Sequence, residues 1–384
     1  MARNSANGEA NRSLPGRLRS RFEGPNTIGE SRGFWGGFAA AVAALAVYPA
    51  FGDSSQLSLF MVLALLGLSL SVVWGYSGVL SFGQVVFFGI GAYTFGVVSI
   101  NFATPGGITA AVVAGIVGGG LSAAILGYFM FYGGVRDVYV TIITLVSTIV
   151  LHTFMAQTAG SEWAIGEAAL GGFNGMPDIP LLTLGVGGLS YQFIYNPFPM
   201  RVIGIGAFEI SPFYYLVLVL LVGTYLALRA LVNSDYGRVM VAVREDEDRT
   251  EMFGYNVTRV KFVVFTLGGA LAGLSGVLYA ARNVYIDPTV FSLLFATLPV
   301  IWVSIGGRKS LLGAVVATLA IEYLRISMAG ELALVLLGTL LLVTILVLPS
   351  GLVPWLHEQI VATRLGPGEA GGADTPDAPS EVSD

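Results

Sequence analysis

Long apolar stretches separated by short polar intervals dominate this chain. A helix needs about 20 apolar residues to cross the roughly 30 Å hydrocarbon core of a bilayer. Ten stretches reach or approach that length, and the shortest of them leave the number of spans between eight and ten. The predicted spans are 34–51, 57–73, 85–103, 108–131, 138–156, 212–232, 261–281, 291–305, 311–326 and 332–348. None shows the alternation of a barrel strand, so the pattern predicts an all-α polytopic membrane protein with about ten transmembrane helices.

The composition agrees with this class and excludes others. Hydrophobic residues make up 55% of the 384 residues and charged residues 11%, too little charge to cover a soluble domain. Glycine, at 51 residues, is typical of closely packed membrane helices. The sequence has no cysteine, which excludes disulfides and a thiol nucleophile, and its two histidines argue against a histidine metal site.

Positive charge predicts the orientation of the spans. If all ten spans cross, the cations before the first span, after the last, and around 136, 238–259 and 308–309 share the cytoplasmic side. The exterior segment 157–211 contains a single cation, Arg201, and Arg282, after the seventh span, is the other exterior cation. We therefore predict a multi-pass membrane protein with both termini in the cytoplasm. Residues 1–33 and 356–384 are predicted to be disordered cytoplasmic tails that flank a membrane domain at 34–355.

The segment 74–84, WGYSGVLSFGQ, is unlike a plain lipid-facing helix. Its glycines are spaced three and then five apart, which does not keep them on one helical face. Backbone freed from a helix at membrane depth must be buried in protein or line a cavity, and broken helices form the substrate sites of many transporters. The alternative is a helix-packing face of small residues. The candidate residues of a substrate path here are Tyr76, Ser77, Gly78, Ser81 and Gln84.

Two further glycine-rich segments stand out. The exterior segment 170–178, LGGFNGMPD, offers Asn174 as donor and acceptor above a substrate cavity or toward a partner, unless it is a plain loop. The segment 302–313, WVSIGGRKSLLG, has two interpretations. It is either a second helix break, at the position in the second half of the chain that matches 74–84 in the first half, or a short cytoplasmic turn anchored by Arg308 and Lys309.

The largest charged block between spans lies within the cytoplasmic interval 233–260. Helix-forming residues continue to Met252, and Gly254 is placed as a helix stop. We predict a short helix along the cytoplasmic face that docks into a partner, the alternative being a solvated loop. The candidate docking residues are Arg244, Glu245, Asp248, Arg249 and Gly254.

Few ionisable residues lie within or near the spans, and such groups carry a functional hypothesis by default. Glu322 and Arg325 are three apart on one helical face and are expected to pair with each other. His152, alone among apolar residues, is expected to be packed and hydrogen-bonded. The chain has no GxxxxGK[ST] phosphate-binding loop, so any ATPase that drives it must be a separate chain.

Several of these motifs occur together in one family. WGYSGVLSFGQ, FFGIGAY at 87–93, LGGFNGM, the charged block, ALAGLSGVLYA at 270–280, VSIGGRKSLLGAVV at 303–316 and PSGLV at 349–353 follow in a consistent order. In this combination the chain resembles the LivM-like permease subunits of prokaryotic ABC importers. The resemblance covers roughly 67–353.

The resemblance implies a permease that works by alternating access beside a second, homologous permease subunit. Two ABC ATPase subunits would bind ATP and Mg, leaving this chain without a cofactor, and an extracytoplasmic solute-binding protein would deliver the solute. Residues 242–254 would form the helix that couples to the ATPase.

Two substrate classes remain open, branched-chain amino acids and urea or short-chain amides. Trp74 and Arg308 look more like the amide branch, whereas Phe173 stands where that branch usually carries a second Asn. A stand-alone channel or secondary carrier for small amides is the alternative function. A membrane enzyme is disfavoured because no cluster of catalytic residues is evident.

Overall fold

The chain is described by a computed structural model. It describes residues 22, 24, 26–27, 32–186, 189–194, 198–202 and 206–328, and the isolated positions 335, 338–339, 342, 346, 351–355 and 359. Most of the tenth predicted span, 332–348, and most of the two predicted tails lie outside these residues.

The described residues are mainly helical. The helices are α1 (Arg32–Val47), α2 (Ser54–Leu70), α3 (Gln84–Asn101), α4 (Pro105–Gly127), α5 (Asp137–Ala156), α6 (Pro212–Val232), α7 (Asp235–Glu245), α8 (Glu247–Met252), α9 (Val257–Asn283), α10 (Leu293–Gly306) and α11 (Leu311–Ser327). Eight of them begin after a Ser, Thr, Asp or Asn whose side chain accepts a hydrogen bond from a first-turn backbone N–H. These capping residues are Asp53, Thr104, Ser211, Ser234, Asp246, Asn256, Ser292 and Ser310.

Short antiparallel hairpins occupy the interval between α5 and α6. The strand pairs are β1 (Ala164–Ile165) with β2 (Ala168–Ala169), β3 (Thr183–Val186) with β4 (Leu189–Gln192), and β5 (Phe198–Val202) with β6 (Gly206–Ile210). This interval is the predicted exterior segment 157–211.

The fold class predicted from the sequence is confirmed, and the described residues, which omit most of the tenth predicted span, contain fewer than ten candidate spans. Within the described residues, seven helices are long and apolar enough to cross a membrane, and α10 with α11 adds an eighth if that pair counts as one span. The two helices are bent by 120° at their junction. With 14 and 17 residues, α10 and α11 are each too short to qualify alone. Gly307 (φ +101°) directly follows α10.

The bundle has two chemically distinct ends. At the charged end lie α7, α8, the start of α5, the start of α9 and the turn between α10 and α11, which are joined by ion pairs. At the hairpin end, Arg282 donates to the Ser55 carbonyl (2.8 Å), and Met176 pairs with Ile286 beside the hairpins. The described parts of the predicted exterior segment therefore lie opposite the charged block, as the charge pattern predicts.

Helices α3, α4 and α9 cross closely at glycines. A β-carbon on Gly119 would lie 2.7 Å from the Cα of Gly273, and one on Gly91 would lie 2.6 Å from the same atom. Backbone contacts of this kind replace the hydrophobic effect as the source of helix association in a bilayer. Helix α2 packs beside this crossing, and most of the apolar residues in Ser54–Tyr76 are buried within the protein.

The charged end of α6 is covered by described residues of the predicted N-terminal tail. The buried Arg229 side chain donates to the Phe22 carbonyl (2.7 Å), and its guanidinium lies 4.6 Å from the centre of the Phe34 ring. Asn26 donates to the Val232 carbonyl (2.9 Å). The contacts stabilise the entry into α1 against α6.

The glycine crossing generates a stability prediction. Gly119→Ala places a methyl group against the backbone of α9, and we expect it to lower the stability of the purified chain by about 1–3 kcal/mol, the usual cost of overpacking. The matched control is Gly223→Ala in α6, where a β-carbon meets nothing within 4 Å. Thermal unfolding in detergent measures both. A Gly119→Ala midpoint equal to that of Gly223→Ala would contradict the packing assigned to this crossing.

Candidate functional site

The predicted helix break is present at the charged end of α2. After α2 the chain makes a widened π-helical turn at Ser71–Tyr76, leaves helical geometry, and resumes as α3 at Gln84. Gly78 lies in the break with φ +83°, a conformation that strains other residues. A β-carbon there would lie 3.4 Å from the Cα of Arg244. The glycine pattern of 74–84 therefore marks a real interruption, closely packed against the charged block.

Side chains from distant elements bind the backbone of the break. The Arg244 guanidinium donates to the Gly75 carbonyl (2.6 Å). On the other side, the Thr141 hydroxyl donates to the Leu80 carbonyl (3.0 Å), and the Phe82 N–H donates to the Thr144 hydroxyl (3.2 Å). Polar backbone groups in an apolar interior require such partners.

Four of the predicted path residues, Tyr76, Ser77, Ser81 and Gln84, are almost fully buried. The Tyr76 hydroxyl donates to the Lys309 carbonyl (3.1 Å), and the Ser77 hydroxyl donates to the Val73 carbonyl (2.6 Å). The Ser81 hydroxyl accepts from the Gly83 N–H (3.0 Å). These hydroxyl groups are thus engaged within the chain in this conformation.

Two polar atoms beside the break have no hydrogen-bond partner among the described residues: Gln84 Nε2 and Ser71 Oγ. The oxygen of the same Gln84 amide, Oε1, accepts a hydrogen bond from the Ser69 hydroxyl (2.6 Å). A buried donor without a partner costs about 1–3 kcal/mol, which a bound polar solute would offset. Ser69 and Ser71 did not stand out in the sequence because they lie inside a continuous apolar stretch.

The second glycine-rich segment packs directly on the first. A β-carbon on Gly75 would lie 1.9 Å from the Arg308 carbonyl oxygen, so only glycine fits there. The side chains of Arg308 and Lys309 are exposed. The segment 302–313 therefore contains the bend between α10 and α11, carries exposed cations there, and contacts the helix break.

Asn174 lies apart from the other predicted path residues. It sits in a short turn at the hairpin end, exposed, and its carbonyl accepts a hydrogen bond from the Tyr285 hydroxyl (2.7 Å). The structure does not bring it to the break, which is at the charged end.

The charged block forms two helices rather than the single one expected. Helix α7 ends at Glu245, and Asp246 then caps α8 by accepting from the Arg249 N–H (2.9 Å). Gly254 follows α8 with φ +87°, which confirms it as a helix stop.

An apolar tip lies at the end of α8. Met252 is 86% exposed, Phe253 77% and Tyr255 51%. Three large apolar side chains clustered at a polar end of the bundle are typical of a protein-binding site.

The predicted docking residues divide into two groups. Arg244 is largely buried and connects α7 to the break, and it also pairs with Glu245 (2.5 Å). Hydrogen bonds from Arg244 and then Lys309 lower the pKa of the Glu245 carboxyl. Asp248 and Arg249 are exposed, and Arg249 contacts only the capping Asp246 (3.4 Å) among the ion pairs of the described residues.

The other ionisable groups within or near the spans are Glu322, Arg325 and His152. Glu322 is fully buried and pairs with Arg325 (2.7 Å), as their spacing predicts. His152 is half-buried on α5. Among the described residues, no group of three or more His, Cys, Asp and Glu could hold a metal ion.

Two cavities are prominent on the described surface. A groove of about 530 Å³ between α3, α4 and α5 is almost entirely apolar, and a cleft of about 340 Å³ at the charged end is lined by α5, α8 and α9. Neither is lined by any of the six predicted path residues. The break is therefore closed off from both cavities in this conformation.

Comparison with known proteins identifies the family. Residues 54–347 match the family described as branched-chain amino acid transport system / permease component. The high-affinity branched-chain amino acid transport system permease protein LivM of Salmonella typhimurium is 30% identical over 340 residues, covering 84% of this chain and 74% of the relative. The Escherichia coli protein of the same name is 30% identical over 348 residues, covering 84% of this chain and 76% of the relative.

A more distant relative is archaeal. The probable branched-chain amino acid transport permease protein LivM of Methanocaldococcus jannaschii is 26% identical over 159 residues, covering 37% of this chain and 46% of the relative. No solved structure matches the chain. The family match extends over more than half of the sequence and includes the helix break, the charged block and the bent pair. This multi-pass membrane protein belongs to the branched-chain amino acid transport permease family.

Proposed function

We propose that this chain is the membrane-spanning permease subunit of an ATP-driven importer in a prokaryotic plasma membrane. It carries branched-chain amino acids into the cytoplasm by alternating access, with the charged end and both termini on the cytoplasmic side. A second, homologous permease subunit, two ABC ATPase subunits and an extracytoplasmic solute-binding protein complete the assembly. ATP and Mg bind the ATPase subunits, so this chain needs no cofactor.

The observation that carries the proposal is the direct bond between the docking block and the helix break. The side chain of Arg244, on α7, donates to the Gly75 carbonyl in the break. The next helix along the chain, α8, ends at the exposed apolar tip. A force applied at the tip by an ATPase is therefore delivered to the point where α2 and α3 separate. A rigid-body shift of this kind is a common way to switch between two packed states.

The polar groups of the break suit an amino acid. Gln84 Nε2 and Ser71 Oγ are potential donors for a carboxylate, and the buried surroundings strengthen such bonds. Family membership and the names of the two bacterial relatives favour branched-chain amino acids over urea or amides. Asn174, exposed at the hairpin end, suits the approach of a solute-binding protein rather than the path itself.

Reconstitution tests the function. Vesicles that hold the complete complex should accumulate labelled leucine when ATP is supplied on the side of the charged block, and should accumulate labelled urea far less. The control is the same complex with an ATPase subunit unable to hydrolyse ATP. Equal uptake without nucleotide or without the partner subunits would contradict the proposal and indicate a channel or secondary carrier.

The apolar tip should bind the ATPase. Phe253→Asp places a charge in the expected contact, and we expect ATPase binding by the permease to weaken by about tenfold or more. Leu189→Asp in the β3–β4 hairpin is the matched control, because Leu189 is 84% exposed at the opposite end. Pull-down titration against the ATPase measures both. If the two variants bind equally well, the tip is not the docking surface.

The break should be part of the path. Gly78→Leu adds a side chain next to Arg244 at a positive φ, and we expect it to abolish leucine uptake while the complex still assembles. Gly134→Leu controls for backbone strain, since Gly134 has φ +69° and nothing within 4 Å of its β-carbon position. Normal uptake by Gly78→Leu would remove 74–84 from the path.

A further inference from the structure

We propose that Lys261 is a positioning residue that links the docking helix α8 to the α5 side of the helix break. The inference rests on the proposed function and deepens it, because it assigns a second mechanical connection between the docking block and the break, separate from Arg244.

Three helices meet at the Lys261 ammonium group. Its Nζ lies 2.8 Å from Asp137 Oδ1, at the start of α5, and 2.5 Å from Glu247 Oε1, at the start of α8. Only 8% of the Lys261 side chain is exposed. Lys261 itself lies near the start of α9. A single buried cation thus joins two carboxylates that are 110 positions apart in the sequence.

The Lys261 ammonium group neutralises the charge of the two neighbouring carboxylates, Asp137 and Glu247. Both are about half-exposed, and burial raises the pKa of the Glu247 carboxyl, an effect that its hydrogen bond to Lys261 opposes. Without the ammonium group, two anions would face each other at a partly dry site. The ammonium group is consequently the contact that joins α8, α9 and the start of α5 at this point.

From Asp137 the connection continues to the break through one turn of α5. The Thr141 hydroxyl lies 3.2 Å from the Asp137 carbonyl and 3.0 Å from the Leu80 carbonyl. Thr144, one turn further, binds the Phe82 N–H. The start of α5 therefore holds the part of the break that leads into α3.

The break is consequently attached to the docking block at both of its ends. Arg244 holds the end at Gly75, and the Lys261 triad, defined as Lys261, Asp137 and Glu247, holds the end at Leu80 through α5. One attachment alone would let the break pivot as α7 and α8 move. Two attachments require both ends of the break to move with the block.

The competing explanation is that the triad only stabilises the fold. Lys261→Met alone does not separate the two, because it leaves unpaired carboxylates and lowers assembly in either case. The decisive variant is Lys261→Met with Asp137→Asn and Glu247→Gln, which removes all three charges and with them the repulsion. We expect this triple variant to recover assembly and basal ATPase activity, but to take up leucine at least tenfold more slowly per ATP hydrolysed than the unmodified complex.

The matched control is Arg238→Met, which removes an exposed ion pair with Asp235 in the same block. It should leave uptake per ATP unchanged. A triple variant that transports leucine at the unmodified ratio would overturn the proposal and leave the triad a purely structural role.

A second readout does not depend on transport. Lys261 and Lys309 are the only lysines in the sequence, so Lys309→Arg leaves Lys261 as the only lysine of this chain that an amine-reactive probe can label. Peptide mass spectrometry separates its labelling from that of the N-terminal amine and of the partner subunits. We expect slow labelling that is unchanged by a non-hydrolysable ATP analogue and at least tenfold faster with Glu247→Gln. Labelling that becomes fast when the analogue is added would show that the triad opens, which contradicts a permanent link. If the unmodified complex needs no nucleotide, the proposed function fails, while this labelling still tests the triad.

Discussion

A polypeptide backbone that leaves helical geometry inside an apolar bundle must find its hydrogen bonds elsewhere in the protein, and this requirement shapes the whole charged end of the molecule. The break after α2 contains carbonyl and N–H groups that do not form hydrogen bonds within α2 or α3. Arg244, Thr141 and Thr144 supply the missing partners. Because these residues belong to α7 and α5, the break cannot move independently of either helix. The same bonds that satisfy the backbone of the break also connect it to α7 and α5.

The break is closed in this conformation. Its hydroxyl groups are bound within the chain, and Gln84 and Ser71 keep buried polar atoms without partners among the described residues. Buried polar groups without partners carry a free-energy cost, and in the proposed cycle the hydrogen bonds of a bound polar solute would offset it. At the other side of the break, Gly75 packs so closely against the Arg308 carbonyl that no β-carbon would fit between them. The bent pair α10 and α11 is thereby in direct contact with the break.

Much of this architecture could be predicted from the sequence, because it depends on local signals. The spacing of Gly75, Gly78 and Gly83 indicated the break, and Gly254 indicated the end of α8. What could not be predicted depends on contacts between distant residues. In the sequence, Thr141 and Thr144 look like ordinary residues of a span, and Lys261 looks like the polar start of one. Periodicity carries no information on hydrogen-bond partners 61 to 124 positions away. The glycine-rich segment 302–313 also indicated an interruption between α10 and α11, but not the 120° bend of the pair. Two apolar stretches that flank a short polar turn have the pattern of two separate spans.

The most direct test of the account is a distance measurement, for which the absence of cysteine is an advantage. Spin labels at Asp248→Cys on α8 and Val138→Cys on α5 occupy two exposed positions at the charged end, and a second pair joins Asp248→Cys to the exposed Val219→Cys on α6. Pulsed electron paramagnetic resonance on the assembled complex, with and without ATP, should give an unchanged distance for the first pair and a changed distance for the second. A first-pair distance that shifts as much as the second would show that the docking block and α5 do not move together.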